Sequence, residues 1–335
     1  MSRAGPSRGW LYGPISLFIV LVAAYSAYWF IARGEIETGV DRWIDEQRAL
    51  GVEIDYASKG VSGFPYRFAL DVERPSYRDQ RAGVDWQGEK LQLVMQPWNY
   101  RHAIARAPGR NEVDVSGIAG TALIDEKSAI SFRWNADGIT DVGLTLNAAE
   151  LITGGSDISL NGVRTHYALT GNDARLSADW TGISLSPDLL AGQPIAFLGS
   201  TLRPGQLRVQ FNGLAGSDPS GLDQERGIDL AQLRLDWGPL KLGAKGEFDI
   251  TPAGHLNGPL KVRLDDVEAL STAIRDARLG RPEIALIVQG VGAASKDGQF
   301  FSVPIKEGAL TFFGQRLTQF PAVAPPLARP DFPAQ

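Results

Sequence analysis

The chain has 335 residues, a net charge of -5, three histidines and no cysteine. Without cysteine it holds no disulfide, thiol nucleophile or lipid-modified leader, and without clustered Lys and Arg nucleic acid is not an expected partner. The 38 glycines, 20 prolines and many short apolar-polar alternations point to a β-rich chain with frequent turns, long enough to bury a sizeable core.

Residues 1–9 form a short N-terminal tail. Residues 10–32, WLYGPISLFIVLVAAYSAYWFIA, carry no charged side chain between Arg8 and Arg33. At about 1.5 Å per residue they reach roughly 35 Å, enough to cross a hydrocarbon core of about 30 Å with some tilt. Trp10 and Tyr12 at one end, and Tyr25, Tyr28 and Trp29 toward the other, are rings of the kind that favour membrane interfaces. The run reads as a retained transmembrane anchor. A cleaved signal peptide has a shorter apolar region and small residues at its cleavage site, whereas this run ends in Tyr28, Trp29 and Phe30. Arg3 and Arg8 on one side nearly balance Arg33 and Arg42 on the other. Orientation therefore rests on the short N-terminus, which stays inside while a long domain crosses, so residues 33–335 are expected outside the cytoplasm.

Residues 33–50 read as an amphipathic helix in which Ile36, Val40, Trp43, Ile44 and Leu50 alternate with Glu37, Asp41, Arg42 and Glu46. Such a helix either lies on the membrane with Trp43 at the interface or continues the anchor and caps the following domain. The second is the expectation, with Gly51 ending the helix. From 51 to 320 strands dominate. Residues 52–59 and 66–73 flank the turn SGFP, and in the second of these strands Tyr66, Phe68, Leu70 and Val72 share a face. The same one-sidedness recurs in Leu91, Leu93 and Met95; in Ile130, Phe132 and Trp134; and in Val142, Leu144 and Leu146. Val163, Thr165, Tyr167 and Leu169, then Leu176, Ala178 and Trp180, continue it, as do Leu207, Val209 and Phe211 and finally Leu260, Val262 and Leu264. One dry face and one wet face per strand is the mark of antiparallel sheet. Trp86, Trp134, Trp180 and Trp237, each near a glycine or turn, hint at a repeated strand-turn-strand unit. A helix is expected from a capping-box-like start at Asp265 and Glu268, with Val267, Leu270 and Ile274 on one face. Strands 283–289 and 299–313 follow, then a proline-rich tail, 321–335, expected to be disordered or extended.

The fold class is therefore mainly β with a few helices: one N-terminal transmembrane helix followed by an elongated, curved antiparallel sheet. No reactive constellation emerges. His102, His166 and His255 share no ligand spacing, and no G-x-S-x-G occurs. Gly290, Gly292 and Ser295 imitate part of a dinucleotide fingerprint, but SKDGQFFSVP after them reads as turn and strand. Asp218, Asp223 and Glu225 lack calcium-loop spacing. No cofactor, metal or catalytic residue is assigned, and the chain is expected not to be an enzyme. The loop QPWNYRHAIARAPG gathers Trp98, Tyr100, Arg101 and Arg106, a mixture suited to lipid headgroups and equally to an ordinary surface loop.

GVSGFPYRFALDV, QPWNYRHAIA, LDWGPLKLGAKGEFDITPAGHLNGPLKVRLDDVEAL and FSVPIKEGALTFFGQRL together resemble an uncharacterised alphaproteobacterial family known as a domain of unknown function, numbered twenty-one twenty-five. The likeness spans nearly the whole chain and brings no catalytic residues. More distantly, the anchored one-sided β pattern is similar to the AsmA-like proteins of the double-membraned bacterial envelope. That resemblance implies a β-groove and a link to phospholipid movement or outer-membrane assembly, and with it the expected location is an inner-membrane anchor with the domain in the periplasm.

Two functional readings remain open at the sequence level. In one, the dry face is an open groove for phospholipid acyl chains, lined by Phe68, Leu70, Phe132, Trp134, Val209, Phe211, Leu260 and Val262. In the other, those residues are closed core and the chain is a scaffold whose loops bind an envelope protein. Alternation is the same in both.

Overall fold

Helix α1 (Gly9–Ala49) runs without interruption through both segments read as anchor and amphipathic helix. At 41 residues it is about 60 Å long. Its first half is apolar all round, with Leu17, Phe18, Ile19, Val20 and Leu21 exposed. Its second half is one-sided: Trp29, Ala32, Ile36, Val40 and Ile44, three or four residues apart, face the strands. Gly51, at φ 88°, ends the helix in a Schellman motif: its N–H reaches the Arg48 carbonyl while the Val52 N–H reaches that of Gln47. Trp43 and Leu50, expected on the packed face, are exposed because they lie off the stripe that Val40 and Ile44 define.

The computed structural model describes residues 9–213, 226–277, 288–293, 299–312 and 315–323. After α1 come β1 (Glu53–Asp55), β2 (Ser58–Ser62), β3 (Phe68–Glu73), β4 (Ser76–Asp79), β5 (Val84–Gly88), β6 (Lys90–Gln96), β7 (Asn99–Arg106), β8 (Gly109–Val115), β9 (Ile118–Ile124) and β10 (Ala129–Asn135). The two longest strands, β11 (Gly138–Thr153) and β12 (Ser156–Thr170), lead to β13 (Asp173–Trp180), β14 (Gly182–Leu185) and a short helix α2 (Pro187–Leu190). Then follow β15 (Thr201–Leu202), β16 (Gly205–Asn212), β17 (Gly227–Trp237), β18 (Leu240–Ile250), β19 (Leu256–Asp265), helix α3 (Val267–Asp276), β20 (Phe301–Lys306), β21 (Ala309–Phe312) and β22 (Gln315–Gln319).

All these strands join one antiparallel sheet, and its plan is simpler than its strand count. Several consecutive short strands are halves of one bent strand, and each half pairs with the matching half of the next. β3 and β4 pair with β6 and β5, which pair with β7 and β8, which pair with β10 and β9. β11 takes β10 and β9 along one edge and β12 along the other. β12 takes β13 and β14, which pair in turn with β16 and β15, and these meet β17. The result is a meander with a crease across it. Hydrogen bonds step over the breaks from Arg74 N–H to the Glu89 carbonyl, Glu89 to Arg110, Asp125 to Ala148, Thr181 to Asn161 and Arg203 to Asp236.

The alternating positions fall into register across the strands. Successive Cα partners run Phe68, Met95, Ala103, Phe132, Val142, Tyr167, Leu176, Val209 and Leu230. Gly246, Leu260 and Val303 continue the row into β18, β19 and β20. A bulge keeps it intact: opposite Arg208 and Val209 stand Gln232 and Leu230, with Ala231 extra, so Leu233 and Leu230 stay on one face despite their odd spacing. The opposite face is largely polar from β11 to β19, with Ala69, Val94 and Ile104 an apolar row nearer α1. There the Arg208 guanidinium donates to both Asp179 carboxylate oxygens at 2.9 Å, His166 stands 3.4 Å from Asp141, and Lys90 reaches Asp71 and Glu73.

Several expectations change. Of the expected strand 299–313, residues 301–312 form a hairpin and residue 313 lies outside the described residues; Glu307 (φ 48°) and Gly308 (φ 75°) supply the two left-handed residues of a tight turn between β20 and β21. Of the expected strand 283–289, residues 288 and 289 belong to a helical stretch, 288–293, and the remainder lies outside the described residues. Asp266, not Asp265, precedes α3. It is left-handed and its carboxylate pairs with Lys241 at 3.1 Å, so no capping box forms. The tryptophan unit is not repeated: Trp134 and Trp237 turn directly into hairpins with β11 and β18, whereas the strands following Trp86 and Trp180 pair elsewhere. Asp218, Asp223, Glu225, Ser295 and residues 324–335 of the tail lie outside the described residues.

Candidate functional site: a half-covered apolar sheet face

Burial along the apolar row is uneven. At the N-terminal end α1 covers it: Trp29, 2% exposed, stacks on Phe68 at 5.3 Å between ring centres, and Val61, Leu70 and Val72 close around them. At the C-terminal end Leu270 and Ile274 of α3 pack with Val288 and Leu198, and Val291 packs with Val303 beside Val262 and Leu264. Between these ends, in β10 to β17, the large side chains Phe132, Val142, Leu144, Tyr167, Leu176, Leu207, Val209, Phe211 and Leu230 are neither buried nor fully exposed, and none belongs to the buried clusters among the described residues. The small Ala149 and Ala174 are buried there instead, as is Ala103 in β7 beside β10. The middle of the sheet thus presents a continuous, half-covered apolar strip bounded by helix at both ends.

The eight residues read from the sequence as a groove separate accordingly. Phe68 and Leu70 are core beneath α1, and Val262 packs against the Val291 and Val303 cluster. Leu260 pairs with Val303 at the covered end. Phe132, Trp134, Val209 and Phe211 occupy the half-covered middle. The structure adds Val142, Leu144, Tyr167, Leu176, Leu207 and Leu230 to that strip. Their alternation was visible in the sequence apart from that of Leu230, but their alignment depends on register.

The loop residues also separate. Trp98 (64% exposed) and Tyr100 (68%) project from the turn between β6 and β7, with the Arg101 guanidinium 5.9 Å from the Tyr100 ring centre. Arg106 lies farther along β7 and donates to Gln92 at 3.5 Å, so it does not join them. The SGFP turn, expected from the sequence as a turn only, exposes Phe64 and Tyr66 beside this loop; Tyr66 lies before β3 and not on its packed face.

Among the described residues, no group of three His, Asp or Glu side chains is placed to hold a metal ion. The Asp125 carboxyl sits below the usual carboxylate range because the Ser128 hydroxyl donates to it, against the opposing effect of partial burial and with help from the Asn147 amide at 2.6 Å. That cluster lies at the crease, where Ser128 Oγ also accepts the Asn147 N–H, and it ties the turn between β9 and β10 to β11. Glu37 is likewise lowered: burial works against ionisation, but the Arg33 side chain and the Val61 N–H, both bonded to its carboxylate, outweigh it.

An apolar helix long enough to cross a membrane, set on one antiparallel sheet with a dry strip, defines the class of this protein. The chain belongs to the family of uncharacterised proteins conserved in bacteria, DUF2125, whose match covers residues 29–321. The match begins at Trp29, the first residue of α1 that belongs to the buried core. No curated protein and no solved structure matches the chain, so the likeness to AsmA-like proteins gains nothing from these comparisons.

Proposed function

We propose that this protein is a non-enzymatic, single-pass protein of the inner membrane whose periplasmic sheet takes up phospholipid acyl chains along the strip from Phe132 to Leu230. One observation carries the reading: the row of paired apolar residues is half-exposed across β10 to β17, yet it starts at Phe68, directly beneath the helix that emerges from the membrane. A dry strip of this kind is a liability in water unless something apolar covers it. The bilayer at its foot is the nearest source of such a cover. No cofactor is required, because binding rests on burial of apolar area.

The test places a photo-crosslinking amino acid at Tyr167, in the strip, and at His166, the next residue on the polar face, in the full-length protein in membranes. Lipid adducts at 167 and none at 166 are the expected result. A folded protein that captures no lipid at 167 would refute the proposal, and capture of a protein there would favour the scaffold reading instead.

A further inference from the structure

The N-terminal edge of the sheet carries a feature that the acyl-chain proposal does not use. Two turns meet the helix at the end of its apolar segment. The Tyr25 hydroxyl donates to the Pro65 carbonyl in the β2–β3 turn, and the Tyr28 hydroxyl donates to the Pro97 carbonyl in the β6–β7 turn at 3.0 Å. The Trp29 indole N–H adds a bond to the Arg67 carbonyl. These contacts hold both turns against residues 25–29. From Gly9 to Tyr28 the helix spans about 30 Å, the thickness of the hydrocarbon core. Residues 25–31 therefore stand where the membrane ends, and the two turns stand at the same depth.

What the turns expose fits that depth. Phe64, Tyr66, Trp98 and Tyr100 are 47–75% exposed, and Phe64 stacks on the exposed Phe30 at 5.6 Å. Tyr28 and Ile31 expose further apolar surface beside them. In water this collar would be costly. At a bilayer interface, Trp and Tyr rings are favoured and basic side chains such as Arg67 and Arg101 lie near headgroup phosphates.

We propose that the edge formed by residues 64–67 and 97–101 is a second membrane contact, seated in the headgroup layer of the leaflet from which α1 emerges. The domain is then held upright on the bilayer at three points, α1 and two turns, rather than swinging from a single helix. The inference rests on α1 crossing the membrane but not on lipid uptake by the sheet.

The absence of cysteine permits a direct test. Full-length Trp98→Cys, Tyr66→Cys, Val20→Cys and Ile118→Cys variants, each spin-labelled and placed in phosphatidylcholine–phosphatidylglycerol bilayers, are compared for collision with oxygen, which concentrates in lipid, and with a water-soluble nickel chelate. Ile118, 73% exposed at the β8–β9 turn, serves as the water reference. The expected result is lipid-like collision at position 20, water-like collision at 118, and interfacial collision at 66 and 98, with more oxygen contact and less nickel contact than at 118. Lipid-like collision at 20 with water-like collision at 66 and 98 would overturn the second contact while leaving the anchor standing. Protection from both reagents at 66 and 98 would overturn it in favour of a protein contact, and water-like collision at 20 would overturn the anchor itself.

Discussion

Replacing Trp29 by alanine removes the ring on which Phe64, Phe68 and α1 converge. Large-to-small changes at such positions cost about 3–5 kcal/mol, so Trp29→Ala is expected to lower the denaturant midpoint of the full-length protein sharply, and Trp29→Phe to lower it less. The sequence marked Trp29 as an interfacial ring at the end of an apolar run, a reading made from its chain neighbours. Its partners lie about 40 residues away, beyond any periodicity. A second residue-scale expectation concerns Asp125. Its carboxyl is harder to protonate when folded than when unfolded, so its stabilisation is fully present above the ordinary carboxylate pKa and is lost as pH falls through the lowered folded value. Asp125→Asn should therefore reduce the melting temperature at neutral pH, and the gap from the native protein should close in strong acid.

Single elements show where sequence reading succeeds and where it stops. The alternation in β3, β6, β10, β11, β12, β13, β16 and β19 was legible because a strand with one wet face writes its period directly into the chain. The hairpin of β20 and β21 was not legible, because its turn is Glu-Gly rather than the stronger Asn-Gly or Asp-Gly signal. The bulge in β17 was hidden as well, since Ile228 and Leu230 change phase against Leu233 and Leu235, which reads as a broken pattern until the neighbouring strands are seen. Deleting Ala231 should expose its purpose. The deletion removes the one residue without a partner, so Ile228, Leu230, Leu233 and Leu235 alternate regularly on the dry face with the same partners, and we expect little loss of thermal stability. Deleting Arg234, which puts Leu233 and Leu235 on opposite faces, should instead lower the melting temperature markedly.

Over the whole molecule, alternation told which side of each strand is dry but not what covers it. Cover depends on where helices land, and α1, α3 and the helical residues 288–293 land at the two ends. Two comparisons follow. Phe68→Ala, under α1, should cost about 3–5 kcal/mol, whereas Phe132→Ala, half-exposed in the middle, should cost about half as much, measured by denaturation of the full-length protein. Removing residues 1–32 takes away Trp29 and the Tyr25 and Tyr28 bonds, so a domain beginning at Arg33 is expected to fold less stably than one beginning at Ala24, as read by circular dichroism on heating.

The meander has a consequence in time as well as in space. From β3 onward each bent strand hydrogen-bonds to the strand that precedes it in the chain, up to β19 and, across α3, β20. No strand in that series waits for a distant partner, so each one can zip onto an edge that already exists as the polypeptide emerges, starting from the platform that α1 and β1–β3 form. Nascent chains halted after β13 should then already carry a protease-resistant N-terminal portion, and chains halted before β3 should not.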